Sequence, residues 1–302
     1  MRRLFLPFGV LALSLLSVSI VPQHSVAAPL PAAYSAAAGG DLVAIDLNNA
    51  NGPDLAAARL AVSQSTMDGG TTPTATATAS NLGAALTGPG IALQSNTQIA
   101  PPDHPNPDSG PLAGASAPGL LDLGLLTTLV HARTQAAIAC GPGGGVMANS
   151  FVQTTGAIIN PIGVGTVVDT GDSTTSGVLS IIPEPQGDPL NRGLLSSATG
   201  TISTNTFLNG QVGLTIAGQS VLNAFASGVP GGANVAYSPG TVSVTAAGNT
   251  TTVGVGQSVT RNVPNGQVVI TVNQPTITES PNGRTATGAC LLYTSPSPRD
   301  RS

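Results

Sequence analysis

The residues that offer chemistry in this 302-residue chain are few. Residues 171–173 form a Gly-Asp-Ser triplet. Ser173 would act as a nucleophile only if a histidine, itself held by a carboxylate, removed its proton. The three histidines of the chain all precede this serine: His24, His104 and His131. We therefore interpret the triplet as a polar turn in which Asp172 accepts local backbone hydrogen bonds.

The same triplet matches the nucleophile block of GDS-type lipases and esterases, which place the base downstream of the serine. His24 lies in a stretch that we expect to be removed on export, and the other two histidines lie upstream of Ser173. The resemblance therefore does not extend to a catalytic set.

Metal and thiol chemistry have equally little support. Two pairs of acids are close enough in sequence to share a Ca²⁺ ion, which takes six to eight oxygen ligands, but neither belongs to a DxDxDG pattern: Asp103 with Asp108, and Asp169 with Asp172. Cys140 and the two later histidines lack the spacing of a zinc site. A nucleophilic Cys140 would need a paired histidine, and His131 lies nine residues away on a predicted strand.

The glycine run 141–145 is not followed by a lysine or by a helical pattern, so we do not expect a phosphate loop. We predict no catalytic residue, no cofactor-binding residue and no metal ligand. The sequence thus indicates a protein that is not an enzyme.

Charge is scarce along the whole chain. Charged residues make up 7%, against a usual value of about 25%, and all nine basic residues are arginines. Residues 28–289 hold five arginines and twelve acids, a formal charge of −7, which excludes a basic patch for nucleic acid. Disorder goes with low hydrophobicity and high charge, whereas this chain is 41% hydrophobic. We expect a folded protein with a surface of Thr, Ser, Asn, Gln and Gly.

Residues 1–27 are predicted to be a secretory signal peptide. Arg2 and Arg3 supply the basic start, residues 4–21 are apolar, and Ser25-Val26-Ala27 offers small residues at the cleavage positions. The alternative, a retained anchor, is disfavoured because the apolar stretch is interrupted by proline and glycine and is about the shortest that spans a bilayer. Residues 28–39 follow as a flexible Pro/Ala linker. We predict no membrane span in the mature chain.

The last stretch, residues 290–302, differs abruptly in composition from the rest. Its first eleven residues, CLLYTSPSPRD, resemble the translation of a transposon-based sequencing adapter, and we predict that the stretch is non-native. The two cysteines are Cys140 and Cys290. An exported chain with two cysteines invites a disulfide between them, but we expect none if Cys290 is encoded by the adapter.

Residues 241–289 carry the clearest structural pattern. Pro264-Asn265-Gly266 and Pro281-Asn282-Gly283 separate runs of Val, Ile and Thr, and Asn-Gly in such a place predicts a hairpin with a type I′ turn. Val268, Ile270 and Val272 share one face, which predicts a strand with one buried face. We expect one antiparallel meander over these residues.

Other strands are predicted upstream, separated by Gly, Pro and Asn turns. They cover residues 40–47, 60–66, 73–86, 91–99, 125–139, 146–155, 165–169, 177–183, 197–207, 211–217 and 220–226. The alternative at 56–60 and at 120–125 is a helix. In the 125–139 strand, Val130 and Ala132 face away from His131 and Arg133.

Many short strands without interleaved helices predict an all-β fold, an antiparallel β-sandwich or jelly-roll-like domain with long irregular loops, over residues 40–289. Residues 100–118 hold six prolines, so we expect a loop there, and it is a candidate boundary between two subdomains.

Two segments resemble the choice-of-anchor P family, exported bacterial surface proteins that share a β-rich domain and differ in their C-terminal anchor. They are LLTTLVHARTQAAIAC, followed by glycines, and GQVVITVNQPTITESPNGRTATGA. The resemblance implies a secreted or extracellular protein, anchored at the cell surface through a C-terminus absent here, and brings no catalytic residues with it.

We expect a non-enzymatic structural or adhesive role, with a cell-envelope or extracellular polymer as the partner. The alternative is a carbohydrate- or surface-polymer-binding β-sandwich module, which an aromatic or amide-rich groove on one sheet face would favour. The chain has no Trp, and Tyr34 and Tyr237 are among its few aromatic candidates for such a groove.

Overall fold

The structure, a computed structural model, describes residues 34–47, 56–69, 72–83, 94–113, 116–117, 121–134, 144–160, 165–166, 168–183, 192–264, 266–289 and 292–298. All elements in these ranges are β-strands, and their pairings are antiparallel. The prediction of an all-β fold is confirmed. A helix long and apolar enough to cross a membrane is not found in the ranges given.

The first four strands form one sheet in sequence order: β1 (Ser35–Leu47), β2 (Ala56–Asp68), β3 (Thr74–Gly83) and β4 (Ser95–Ala100). In β3 the alternation of alanine and threonine buries Ala75, Ala77 and Ala79, because alternate residues of a strand point to opposite faces. β1 begins within the predicted linker, so residues 35–39 are strand, and β2 is strand from residue 56, where a helix was the alternative.

The next fifteen strands belong to two sheets. In chain order they are β5 (Asp108–Leu112), β6 (Ser116–Ala117), β7 (Leu121–Leu123), β8 (Leu126–Ala132), β9 (Gly145–Thr154), β10 (Ala157–Ile159), β11 (Val168–Thr170), β12 (Ser173–Pro183), β13 (Arg192–Ile202), β14 (Thr204–Phe207), β15 (Val212–Ala217), β16 (Ser220–Ala226), β17 (Ala233–Ser238), β18 (Thr241–Ala246) and β19 (Asn249–Val253). One sheet has the order β17-β16-β13-β12-β9-β8-β5, and the other has the order β19-β18-β15-β14-β11-β10-β7-β6.

These two sheets run on into each other. When the two strand orders are laid side by side, each strand of the seven-stranded sheet lies next to a strand of the eight-stranded sheet that directly precedes or follows it in the chain. The pairs are β5/β6, β8/β7, β9/β10, β12/β11, β13/β14, β16/β15 and β17/β18, and β19 is left over at one edge. Together they form one sheet of seven long strands that are interrupted along a line, which we call the long sheet.

Neighbouring strands of the long sheet remain hydrogen-bonded to each other at the line of interruption. The Gly124 N–H donates to Gly156 O at 2.9 Å, and the Gly171 N–H donates to Thr204 O at 2.8 Å. Gly156 has φ +138°, a conformation that side chains disfavour. A Cβ on Gly124 would lie 2.6 Å from Thr155 Oγ1. Glycine is therefore needed where the strands turn from one half of the long sheet into the other.

One face of the long sheet is covered at one end by the sheet β1–β4. The apolar cluster between them combines Leu126, Val130, Val152, Leu179 and Ile181 with the alanines of β3. Hydroxyl groups complete this interface: Ser63 Oγ lies 3.2 Å from Thr175 Oγ1, and Ser65 Oγ donates to Gly177 O at 2.7 Å. The two layers form a β-sandwich.

The same face is covered at the other end by β20 (Gln257–Val263), β21 (Gly266–Val272) and β24 (Leu292–Pro298). Val268, Ile270 and Val272 are buried there, as predicted, in a cluster with Leu214 and Val244. The hairpin of β22 (Thr276–Glu279) and β23 (Ala286–Ala289) packs on β16 and β17.

The prediction of a loop throughout 100–118 is wrong, because β5 and β6 lie within it. Pro111 pairs with Thr127 on β8. A proline is tolerated there because β5 is the edge strand of its sheet and needs donors on one side only. The sheets before and after this segment share one apolar cluster, and the subdomain boundary stays a prediction.

The predicted single meander over 241–289 is wrong in one respect. Its strands occur, but they are divided among three sheets. The first hairpin loop lies between Val263 and Gly266, which pair with each other, and Pro264 is its first residue. Proline fixes φ near −65° and is incompatible with the positive φ that a type I′ turn needs at this position. The hairpin prediction is therefore confirmed and its turn type is wrong.

Candidate functional site

The two described histidines hold the segment 101–107 against the sandwich. His131 Nε2 lies 2.9 Å from His104 O, and His104 Nε2 lies 3.0 Å from Ile99 O. A carbonyl only accepts, so each ring nitrogen is the donor. Asp103 Oδ1 accepts from the Thr134 hydroxyl at 3.0 Å and also from the Thr134 N–H. These bonds tie the segment to Ile99 at the end of β4 and to His131 and Thr134 at the end of β8, so they hold the segment in place.

Ser173 is not brought to a histidine. It is 3% exposed at the start of β12, and its Oγ donates to Gly171 O at 3.0 Å. The Asp172 carbonyl accepts from the Ser203 N–H of the neighbouring long strand at 3.1 Å, at the line of interruption. The triplet thus connects β11 to β12 along the chain and is hydrogen-bonded to the connection between β13 and β14, a role that its local sequence did not reveal.

The two acidic pairs considered for Ca²⁺ do not converge with further ligands. Within the described ranges, no group of three or more His, Cys, Asp or Glu side chains lies close enough to hold a metal ion. Asp108 is exposed on the edge strand β5. Cys140, Cys290 and His24 lie outside the described residues, so the disulfide prediction is not tested.

The face of the long sheet opposite the three smaller sheets carries rows of polar side chains. We call it the open face. Residues directly opposite each other in neighbouring strands share a face, so the pairing register assigns its rows. One row consists of Thr127, Gln153, Thr174 and Thr201; the next consists of Leu129, Phe151, Ser176, Thr199 and Val221.

The open face continues into the second half of the long sheet with further hydroxyl groups. The rows there are Thr206, Gly213, Thr245 and Thr250, and then Thr204, Thr215, Ser243 and Thr252. Neighbouring hydroxyls bond across strands, at 2.6 Å between Thr174 and Thr201 and at 2.7 Å between Ser176 and Thr199. Each hydroxyl can still accept a further hydrogen bond. The open face is therefore able to form hydrogen bonds over a wide area.

Strand β9 places an aromatic ring between two amides on the open face. Asn149, Phe151 and Gln153 occupy alternate positions, and Gln153 is exposed while the other two are half-buried. Sequence reasoning missed this triplet, although its spacing of two is visible in the sequence. Tyr34, one of the aromatic candidates named from the sequence, instead packs against the first apolar cluster.

A shallow groove of about 410 Å³ lies between β19 and β20. It is lined by Thr251, Thr252, Val253, Gln257, Ser258 and Val259. The Arg261 guanidinium on β20 donates to Thr251 Oγ1 on β19, which ties the two strands together at this groove. The groove contains hydroxyl, amide and methyl groups, which resemble the chemistry of the open face.

No family model, no curated protein and no solved structure matches this chain. The resemblance to the choice-of-anchor P family therefore stays a prediction, which rests on residues 125–140 and 266–289.

Proposed function

We propose that this protein is a non-enzymatic secreted or cell-surface protein with a structural or adhesive role. The observation that supports the proposal is the open face, where rows of hydroxyl groups extend across the long sheet. Such a face binds a hydrated or hydroxylated surface through many weak hydrogen bonds, each of which contributes about 0.5–1.5 kcal/mol.

The charge of the chain supports the same role. With five arginines against twelve acids in residues 28–289, ion pairs with an anionic polymer are disfavoured. Adhesion through the open face should therefore change little with salt, because screening acts on charges. Strong, salt-sensitive binding of the protein to anionic wall material would contradict this expectation.

A carbohydrate- or surface-polymer-binding module is the second candidate, and the triplet on β9 favours it. A sugar ring packs on an aromatic ring through its C–H groups, and amides supply both donors and acceptors to its hydroxyls. Phe151 between Asn149 and Gln153 offers both kinds of contact on one strand.

The test measures retention of the full-length chain on a monolayer that ends in hydroxyl groups, by quartz-crystal microbalance at low and high salt. Thr199→Glu combined with Thr201→Glu places two charges on the open face. The matched control, Thr276→Glu with Thr278→Glu, places them on exposed positions of β22. We expect the first variant to lose retention and the control to keep it.

Three other results would decide against the adhesive role. Equal retention of both variants would show that the open face does not adhere. Saturable binding to a soluble glycan that Phe151→Ala abolishes would instead establish the second candidate. Turnover of an ester or glycoside that depends on Ser173 or His131 would make the protein an enzyme.

A further inference from the structure

The outer edge of β19 is unpaired in the described part of the chain. β19 ends its sheet and pairs only with β18. The hairpin that joins these two strands has a two-residue loop, residues 247–248, with positive φ at both positions, which makes Ala246 and Asn249 a hydrogen-bonded pair. Such pairs alternate with non-hydrogen-bonded pairs in an antiparallel ladder. The N–H and C=O groups of Thr250 and Thr252 therefore point outward, away from β18.

Other sheet edges of this protein are protected. On β5, Pro111 and the exposed Asp108 disfavour pairing with another chain. On the edge strand β17, the N–H of Val235 donates to Glu279 Oε1 at 2.6 Å. β19 contains neither a proline nor a charged residue, and none of the described residues bonds to its outward backbone groups. This edge is therefore open to the addition of a further strand.

The groove between β19 and β20 lies beside this edge. On β19, the side chains of Thr251 and Val253 lie on the face opposite the open face, together with the buried Val244 and Val242. Val259 on β20 lines the other side of the groove. A strand added to β19 directs alternate side chains into this space of about 410 Å³, because residues directly opposite each other in neighbouring strands share a face.

A guanidinium without a carboxylate partner lies at the same groove. Arg261 on β20 donates to Thr260 O at 3.3 Å and to Thr251 Oγ1. A guanidinium has more N–H donors than these two bonds use, and no carboxylate of the described ranges contacts it. Arginine binds a carboxylate through two parallel hydrogen bonds. The charge at the groove is therefore complementary to an acidic residue of a partner.

We propose that the edge of β19 and the adjoining groove bind an extended acidic segment of a partner protein, which adds to β19 as an antiparallel strand. The partner residue opposite Thr251 carries the carboxylate that Arg261 binds, because this position is a non-hydrogen-bonded pair, in which side chains lie closest. The partner residue opposite Val253 is aliphatic and packs against Val259. The site lies at a sheet edge and is independent of the open face and of the proposed function.

The experiment measures binding of a capped, fluorescein-labelled peptide, Thr-Val-Thr-Glu-Thr-Val-Thr, to the full chain by fluorescence anisotropy. We expect saturable binding that Arg261→Gln weakens about tenfold, as the loss of a charged hydrogen bond predicts. Arg284→Gln removes an exposed arginine between β22 and β23 and should leave the affinity unchanged. A peptide with Gln in place of Glu should bind the parent chain about tenfold more weakly and should lose nothing further with Arg261→Gln, because both changes remove the same ion pair.

Thr252→Pro tests the pairing of the backbone separately from the charge. Proline removes the outward N–H of residue 252 without removing a bond to β18, and an edge strand tolerates proline at such a position. We expect the urea midpoint of unfolding to stay close to that of the parent chain, while the affinity for the peptide falls about tenfold. Thr252→Val keeps the N–H and should keep the affinity.

Four results would overturn the proposal. The first is the absence of saturable binding at millimolar peptide. The second is an affinity for the peptide that either Arg261→Gln or Thr252→Pro leaves unchanged. The third is binding of a polyuronate oligosaccharide that requires Arg261 and is tighter than binding of the peptide, which would make the ligand an acidic polysaccharide. The fourth is dimerisation of the chain without peptide that Thr252→Pro abolishes, which would make a second copy the occupant.

Discussion

Gly177→Ala tests how closely the two layers of the sandwich approach each other. A Cβ on Gly177 would lie 2.3 Å from Ala38 O and 2.8 Å from Gly39 N. Both are backbone atoms, so no side chain can rotate out of the way. Forcing a group into a filled interface costs about 1–3 kcal/mol, and replacing glycine by alanine returns about 0.4–1 kcal/mol through the unfolded chain. We expect a net loss of about 1–2 kcal/mol in the free energy of unfolding.

Gly200→Ala is the matched control on the neighbouring strand β13. Its Cβ would meet Thr174 O at 3.8 Å, an ordinary contact, so we expect stability to be unchanged or slightly raised. Urea unfolding followed by circular dichroism measures both variants, with a slope against urea that matches the parent chain. If Gly177→Ala is as stable as Gly200→Ala, β1 does not pack on β12 as described, and the argument for a sandwich with closely spaced layers fails.

Two further predictions concern the apolar cluster that contains Val268, Ile270 and Val272 and the segment 101–107. Ile270→Ala removes a fully buried side chain and should lower the free energy of unfolding, measured in urea, by about 2–5 kcal/mol. Its control, Ile277→Ala, changes a position that is 45% exposed and should lower it by less than about 0.5 kcal/mol. Equal losses in the two variants would contradict the assignment of the core. Asp103→Ala removes the acceptor of two Thr134 donors, so we expect faster cleavage of 101–107 in limited proteolysis. Asp108→Ala, on an exposed edge position, should leave the cleavage rate unchanged, and an equal increase in both variants would refute the role of Asp103.

Alternation was the part of the sequence that predicted structure most reliably. Val130 and Ala132 are fully buried while His131 is half-buried on the other face, as the period of two predicted. The same holds for Val268, Ile270 and their neighbours in β21. Alternation succeeds because it is a local property of an extended chain. The all-β class and most strand positions follow from it.

Sheet membership could not be predicted in the same way. Residues 241–289 contain the predicted strands, yet those strands belong to three sheets. The line of interruption in the long sheet was also missed, because Gly124 and Gly156 are ordinary turn residues in the sequence and meet only through the pairing of β7 with β10. Which strands pair depends on packing against distant residues, and a single sequence does not display it.

The candidate site was missed for a related physical reason. In β9, one face carries Ala148, Ser150 and Val152, and the other carries the triplet with Phe151. Both faces mix apolar and polar residues, so the sequence does not say which one faces the partner sheet. The face with the smaller side chains is the buried one. Ser150 Oγ lies 3.0 Å from Ser65 Oγ, and a larger side chain at this position would separate the two layers.

In this fold, hydroxyl groups therefore make the polar side-chain contacts that charged groups make in most proteins. Inside the sandwich they bond to each other, as Ser65 does with Ser150, which removes the cost of burying polar groups without a partner. On the open face they bond across strands, as Thr174 does with Thr201, and keep acceptors for other molecules. A chain with 7% charged residues can remain folded and hydrated in this way. Replacing the buried hydroxyl residues by alanine should then lower the free energy of unfolding, and replacing those of the open face should weaken adhesion to surfaces. The two effects are separable because the two sets lie on opposite sides of the same strands.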